Sequence, residues 1–349
     1  MAIQRTRSKQ DPIVEPSKTR RESEAFEQSL RPKTMNEYVG QGKIKEHLLI
    51  HMEAASKRGE ALGHTLLHGP PGLGKTTLAN IVATEMGAQM RITSGPAIEK
   101  PGDLASLLTN LEKGDVLFID EIHRMRPAIE EVLYSAMEDY ALDLVIGKGP
   151  TARSMRLELK PFTLIGATTK AGSISAPLRD RFIHNYKLLF YSNAEMEDII
   201  TRSAALLSIK LDDGVAAYLS GCCRATPRIA NRLVRSIRDF AQVRDEPSIS
   251  NDRVLETLES LGVDERGLDD TDRMILSAIV EKFGGGPVGL STLATSIAEE
   301  TDTLEDVYEP YLIQCGFMQR TAKGRMATKL TYDVLGMRIA ESTDQSLFS

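Results

Sequence analysis

The chain has 349 residues, 41% of them hydrophobic and 26% charged, which is long enough for about two to three domains with sizeable cores. Its formal net charge of −6 gives no global attraction to nucleic acid, so any DNA contact must come from a local basic patch. Adjacent Cys222 and Cys223 with a distant Cys315 make neither a disulfide framework nor a metal-ligand set. The polar, basic N-terminus is no secretory signal and no apolar run approaches the ~18 residues of a membrane span, so a reducing cytoplasm is expected and no membrane partner.

Residues 1–22, rich in Arg, Lys, Ser and Pro, read as a disordered tail. Leu30-Arg31-Pro32 and Tyr38-Val39-Gly40-Gln41 read as a linker with a turn, ahead of a helix from near Ile44. A short buried strand at Thr65, Leu66 and Leu67 then runs into Gly69-Pro70-Pro71-Gly72-Leu73-Gly74-Lys75-Thr76. That octapeptide fits the phosphate-loop template G-x-x-x-x-G-K-[ST] at every fixed position. Gly72 and Gly74 let backbone N–H groups curl around an oxyanion, and the helix N-terminus adds the positive end of a dipole. Lys75 reaches the outer phosphates, and the Thr76 hydroxyl can ligate Mg²⁺. Leu78, Ile81, Val82 and Met86 recur at helical spacing behind it, and Gly87 falls where a left-handed cap would end the helix.

Met90 to Thr93 can form a second strand, and Asp115 to Glu121 is a third, delivering two carboxylates at its C-terminal end. In an open parallel sheet that end faces the ligand, so Asp120 is expected to hold Mg²⁺ through its water shell and Glu121 to orient and deprotonate the attacking water. Asp120-Glu121-Ile122-His123 also spells the D-E-x-H of two-lobed helicases, but the chain lacks a second nucleotide-fold lobe. His123 is therefore expected to pack or to hydrogen-bond.

Residues 141–160 read as a β-hairpin: Leu142, Leu144 and Ile146 alternate on one side, Gly147-Lys148-Gly149-Pro150 turns, and Met155, Leu157 and Leu159 alternate on the return. Such an insertion either presents its apolar tip to a partner or folds back on its own domain. Thr163 to Thr169 is another apolar strand, ending in hydroxyls near where a γ-phosphate or its water would lie. In the basic loop Pro177 to Phe182, either Arg179 or Arg181 could stabilise transition-state charge in a neighbouring subunit.

Ser192 with Glu195 forms a capping box that opens a helical region. There Thr226-Pro227-Arg228 reads as an N-cap, a proline at the first helical position and an arginine in the first turn. A cation at a helix start opposes the dipole unless an anion sits there, which makes Arg228 a phosphate ligand.

From Leu268 the pattern becomes helix (Thr271–Lys282), Gly-rich turn, helix (Ser291–Glu300), and a helix from Thr303, paired with Asp306 as a cap and kinked or broken at Pro310. A hairpin over Phe317–Lys329 follows, completing a winged-helix layout. Residues 269–310 carry ten acidic and two basic residues, ill suited to a major groove, whereas the hairpin holds Arg320, Lys323, Arg325 and Lys329 with no acid among them. Contact with the DNA backbone through the wing, independent of base sequence, is expected.

These residues together resemble the RuvB family of AAA+ motors of Holliday-junction branch migration, over about residues 23–343. Beyond the phosphate loop, the resemblance rests on Leu30-Arg31-Pro32, Ala136-Met137-Glu138-Asp139-Tyr140, Gly166-Ala167-Thr168-Thr169, Leu178-Arg179-Asp180-Arg181-Phe182 and Gly316-Phe317-Met318-Gln319-Arg320-Thr321. It implies an α/β AAA+ P-loop parallel-sheet domain (23–190), a small all-helical lid (191–264) and a winged-helix DNA-binding domain (265–349). It further implies Leu30 and Arg31 at the adenine and ribose, Thr77 among the nucleotide contacts, and Glu138, Asp139, Tyr140 and Tyr191 bordering the nucleotide. Thr169 would be the first sensor with Thr168 beside it, Arg181 the finger acting in trans, and Arg228 the second sensor. ATP and Mg²⁺ would be the cofactors, a homohexamer the assembly, RuvA the partner of the 141–160 hairpin, and RuvC the resolving partner. Arg320 and Arg325 would touch junction or duplex DNA, and Thr301 stands where some relatives carry an arginine near DNA. A clamp-loader-like protein would instead end in a helical collar, and a winged-helix regulator holding ATP as a structural ligand would not need Glu121 and Arg181 together.

Overall fold

The structure, a computed structural model, describes residues 28–146 and 153–338. The tail at 1–22 and the hairpin turn Gly147-Lys148-Gly149-Pro150 lie outside the described residues. The strands are β1 (Thr65–His68), β2 (Met90–Ser94), β3 (Val116–Asp120), β4 (Ala141–Ile146), β5 (Arg153–Glu158), β6 (Thr163–Thr168), β7 (His184–Lys187), β8 (Met318–Thr321) and β9 (Gly324–Ala327). Five of them form one parallel sheet in the order β2-β3-β6-β1-β7, with Thr65 in register with Ile165 on one side and His184 on the other. Alternation along the strands gives the sheet two buried faces: Val116 and Phe118 join one core, and Leu117 and Ile119 join the other.

The first face is covered by α1 (Gly42–Arg58) and α2 (Lys75–Glu85), the second by α3 (Pro101–Thr109) and α4 (Pro127–Asp139). Gly87 has φ 66° and donates to Thr84 O, while Ala88 N–H reaches Ala83 O, so α2 ends in the expected left-handed cap. The segment ahead of α1 is more than a linker. Met35 and Tyr38 are 1% and 3% exposed in the first core. Gln41 clasps the backbone of Leu189 twice, Nε2 to O at 2.7 Å and N to Oε1 at 3.2 Å. Its apolar residues are too widely spaced to show a period, which is why the sequence reads as a connection.

The hairpin β4/β5 pairs Leu142 with Leu157 and Leu144 with Met155. Leu142 and Leu159 are buried in the second core, whereas Met155 is exposed. The root therefore folds onto its own domain and the arm leaves it.

The helical region comprises α6 (Asn193–Leu206), α7 (Val215–Cys222), α8 (Pro227–Val243) and α9 (Asn251–Ser260), after a short α5 (Ala176–Asp180) in the sheet domain. The Ser192–Glu195 capping box is formed in both directions. Thr226 occupies the N-cap position of α8, but its hydroxyl donates to Cys223 O and makes no cap bond. The first turn is met from outside instead: Arg228 N–H points at Gly72 O at 3.4 Å, so the lid docks on the phosphate loop through the helix end that a cap would otherwise close.

A third core, Leu268 to Met318, holds the winged helix: α10 (Asp270–Ser277), α11 (Leu290–Ser296), α12 (Thr301–Thr303), α13 (Glu309–Gln314), the β8/β9 wing and α14 (Lys329–Leu335). α11 ends four residues short of the expected Glu300, with Ala298 in the left-handed region. One expectation fails around α12. Glu300, not Thr303, precedes the helix, and Thr303 already has helical angles, so there is no Thr303–Asp306 cap. Of the two outcomes expected at Pro310, the break does not occur: Leu304–Tyr308 is π-helical and leads straight into α13. The wider turn takes up the missing proline N–H.

Candidate active site

The C-terminal ends of β1, β3 and β6 open on one cleft of about 270 Å³ between the sheet domain and the lid. The sheet domain supplies Gly72, Gly74, Lys75, Thr76, Thr77, Asp120, Glu121 and Thr169; the N-terminal segment supplies Leu30 and Arg31; the start of the lid and α8 supply Tyr191 and Arg228. Gly72 (φ 81°) and Gly74 (φ 92°) hold left-handed angles that side chains disfavour, and an added Cβ at Gly72 would press on Arg228 at 3.3 Å. Tyr38 and Tyr191 both donate to Leu73 O, at 3.3 and 3.1 Å, fixing the loop from behind.

Lys75 is 8% exposed, and its ammonium donates to Gly69 O at 2.8 Å and Pro70 O at 2.9 Å. Burial pushes its pKa down to about 8, Glu121 and Asp120 pull it back up, and Arg228 adds to the fall. A buried cation beside a glycine-rich loop at a helix start has the make-up that suits an anionic ligand. Among the described residues no cluster of three or more His, Cys, Asp or Glu could hold a metal. The donors in the cleft fit Mg²⁺, which takes one or two protein oxygens and fills its shell with water and phosphate; Thr76 and Asp120 would hold it.

Glu121 follows β3 in a left-handed turn (φ 46°, ψ 47°). The turn fits because Gly95 lies against it: a Cβ there would collide with Glu121 O and crowd Met125 N. The Glu121 carboxylate receives Thr169 Oγ1 at 3.4 Å and lies 3.1 Å from His123 Nδ1. Thr168 is fully buried and turns to His123 Nδ1 at 2.8 Å, so of the two hydroxyls only Thr169 reaches the cleft.

Glu138, Asp139 and Tyr140 do not line this chain's cleft. Asp139 pairs with Arg156 of the hairpin at 2.8 Å, and Tyr140 packs edge-on against Phe162. Glu138 pairs with Arg181 at 3.0 Å, and the Arg181 guanidinium also donates to Pro177 O and lies over the Tyr134 ring. Arg181 therefore shares a face with Glu138, Asp139 and Tyr140 rather than with the phosphate loop.

In the wing, Arg320 is 58% exposed, with Glu305 at 3.4 Å. Arg325 is buried against Glu309, itself 3% exposed, through bonds of 3.1 and 2.8 Å, and it reaches a phosphate only by giving that partner up. Of the two arginines expected to touch DNA, Arg320 is the exposed one. The acidic run also gains an explanation: Lys170, one residue past Thr169, meets Asp306, Glu305 and Asp302 at 3.1, 3.5 and 3.8 Å.

The sequence reading missed Tyr38, Arg202 and Asn231, all of which line the cleft. Arg202 of α6 donates to Leu30 O at 2.7 Å and to Glu37 at 3.1 Å, tying the lid to the N-terminal segment. A polar residue on the outer face of a helix carries no local mark of such a role.

Comparison with known proteins agrees with this geometry. Family models described as the Holliday junction DNA helicase RuvB P-loop domain, the RuvB AAA lid domain and the RuvB C-terminal winged helix domain match residues 30–188, 191–264 and 265–336. The Holliday junction branch migration complex subunit RuvB of Chloroflexus aggregans is 56% identical over 320 residues, 92% of this chain and 91% of that protein. Its counterpart in Chloroflexus aurantiacus is 55% identical, covering 92% of each. The solved Thermotoga maritima RuvB Holliday junction branch migration motor superposes with a TM-score of 0.83 at 47% identity, over 89% of this chain and all of that one. With three consecutive domain matches, 55–56% identity to the two Chloroflexus relatives over 92% of the chain, and a phosphate loop, acidic strand end and wing in the places described, the chain belongs to the RuvB family.

Proposed function

We propose that this protein is the ATP-driven motor of Holliday-junction branch migration, translocating duplex DNA away from a four-way junction. The observation that carries the reading is the convergence of Lys75, Asp120, Glu121, Thr169 and Arg228 on one cleft while Arg181 lies on a different face. A cleft with base, sensor and phosphate ligands but no finger of its own needs a neighbour, which supports a ring, taken here as a homohexamer. Arg181 then stabilises transition-state charge in the adjoining protomer, where Glu138, Asp139 and Tyr140 border the nucleotide.

Glu121 accepts the proton of the attacking water, Lys75 meets the outer phosphate oxygens, and Arg228 reports their presence to the lid through α8. Thr76 and Asp120 would hold Mg²⁺, which would neutralise phosphate charge. The hairpin 141–160 docks on RuvA through its outer arm, RuvC resolves the product, and Arg320, assisted by Lys323, contacts the DNA backbone without reading bases. No helix among the described residues is long and apolar enough to cross a membrane, and the site of action is the cytoplasm. The units are 23–190, 191–264 and 265–349.

The test is Glu121→Gln, measured for ATP binding, hydrolysis and junction unwinding in the presence of RuvA. Undiminished binding with hydrolysis reduced by on the order of 100-fold or more is expected; hydrolysis at the wild-type rate refutes the base assignment. Deleting the hairpin in the same unwinding assay should abolish unwinding and spare hydrolysis.

A further inference from the structure

His123 stands in a 3₁₀ turn, Ile122–Arg124, directly after Glu121, with its side chain 11% exposed. Its Nδ1 is 3.1 Å from Glu121 Oε2 and 2.8 Å from Thr168 Oγ1. The same oxygen, Oε2, receives Thr169 Oγ1 at 3.4 Å. Glu121 Oε2 thus accepts one hydrogen bond from the end of β6 and has the ring nitrogen of the turn's His123 within 3.1 Å, and among the described residues Oε1 has no protein partner.

We infer that His123 is a positioning residue: its Nδ1–H donates to Glu121 Oε2 and fixes the carboxylate so that Oε1 faces the attacking water. The inference rests on Glu121 being the base. As the water oxygen bonds to the γ-phosphorus and the bridging P–O bond to ADP breaks, the water proton passes to Oε1.

The tautomer follows from the neighbours. A bare Nδ1 would turn its lone pair toward a carboxylate 3.1 Å away, so Glu121 selects the Nδ1–H form, whose one proton is shared with the nearer Thr168 Oγ1 at 2.8 Å. Thr168 Oγ1 already accepts the Lys170 N–H at 3.0 Å, which fixes the hydroxyl on the other side of the ring nitrogen. The charged groups facing the ring are Glu121, Lys170, Asp306 and Arg124, and burial lowers its pKa below the usual value, keeping the imidazole neutral near pH 7. The backbone adds to the constraint: Glu121 sits at positive φ, and Arg124 N–H closes the turn onto Glu121 O at 2.9 Å. A carboxylate on so fixed a turn has few rotamers, and one hydrogen bond decides among them.

The test uses the full-length protein with RuvA and junction DNA, and compares His123→Ala, His123→Asn and His123→Gln. An asparagine amide nitrogen overlays Nδ1, and a glutamine nitrogen overlays Nε2. His123→Ala is expected to lower kcat by roughly 10- to 100-fold with KM for ATP unchanged within about 2-fold. His123→Asn should recover most of the loss and His123→Gln little. In a Glu121→Gln background, His123→Ala should cost nothing further, because the two act as one unit. Equal effects of Asn and Gln, a loss in nucleotide binding or assembly rather than kcat, or an unchanged His123→Ala would each overturn the proposal. A Glu121→Gln enzyme that still turns over would instead overturn the base assignment, whatever the His123 variants do.

Discussion

Lys170 Nζ lies 3.1 Å from Asp306 Oδ2, so the residue that follows Thr169 is tied to the winged-helix domain. Glu305, the next carboxylate in that contact, is also 3.4 Å from Arg320. One acid therefore stands between Lys170 and the exposed arginine of the wing. Partly exposed ion pairs of this kind contribute up to about 1 kcal/mol each, enough to shift an affinity several-fold. Glu305→Gln should strengthen DNA binding several-fold and steepen its salt dependence by up to about one unit of slope, because it unmasks Arg320. Lys170→Ala should act oppositely, leaving Glu305 to the wing arginines Arg320 and Arg325. Titrations with duplex DNA at two salt concentrations check both signs.

Arg181 pairs with Glu138 of its own chain and stays out of its own cleft. Mixing Arg181→Ala protein with wild type should therefore depress hydrolysis more than in proportion to the fraction added, since each variant disables a neighbour's site. A strictly proportional decline in the mixing curve would place the finger in cis.

His64 is 4% exposed. Leu164 N–H donates to its Nδ1 at 2.9 Å and its Nε2 meets Met137 O at 3.1 Å, an arrangement that suits the neutral ring. Burial pushes its pKa down to about 4, against a reference of 6.5, with the Met137 carbonyl opposing. Below pH 6.5 the unfolded chain takes up a proton that the folded one refuses. Stability is then fully present above 6.5 and is lost as pH falls toward 4, by roughly 3 kcal/mol from this group. Denaturant melts between pH 7 and 4 should show that slope, and His64→Asn, which keeps an acceptor for Leu164, should flatten it.

Arg224 grips Asp272 with two bonds, 3.0 and 3.2 Å, where Asp272 is fully buried, and it lies over the Tyr311 ring. Arg224→Met leaves that carboxylate unpaired at the junction of lid and winged helix, and should cost about 3 kcal/mol. Adding Asp272→Leu should restore most of it. Chemical unfolding of the single and double variants measures the difference.

The phosphate loop, the acidic strand end and the winged-helix layout were legible because each is a local pattern: fixed glycines, an apolar run that stops at two acids, helices followed by a basic hairpin. The cap at Gly87 and the Ser192–Glu195 box were legible for the same reason. What escaped depends on residues far apart in the chain. Thr226 has the type and place of a cap, yet Gly72 from another domain meets the first turn of α8. Arg325 looks like Arg320 in the sequence, and only folding buries one against Glu309 and leaves the other exposed beside Glu305. The acidic run at 299–309 looked unfit for DNA because its partners, Lys170 and the wing arginines, come from outside it.

The π-helical turn at Leu304–Tyr308 puts one more residue into that helix than an ordinary α-helix of equal rise would use. Each residue of a helix turns the next by about 100°, so the surplus sets the angular offset between the acids before it and the acid after it. Glu305 and Asp306 thereby reach outward to Lys170 while Glu309 faces inward to Arg325. Chain length in this stretch is thus a functional variable. Shortening it by a single residue, with every charged side chain retained, would rotate Glu309 away from the arginine it now neutralises and present a second cation to the double helix.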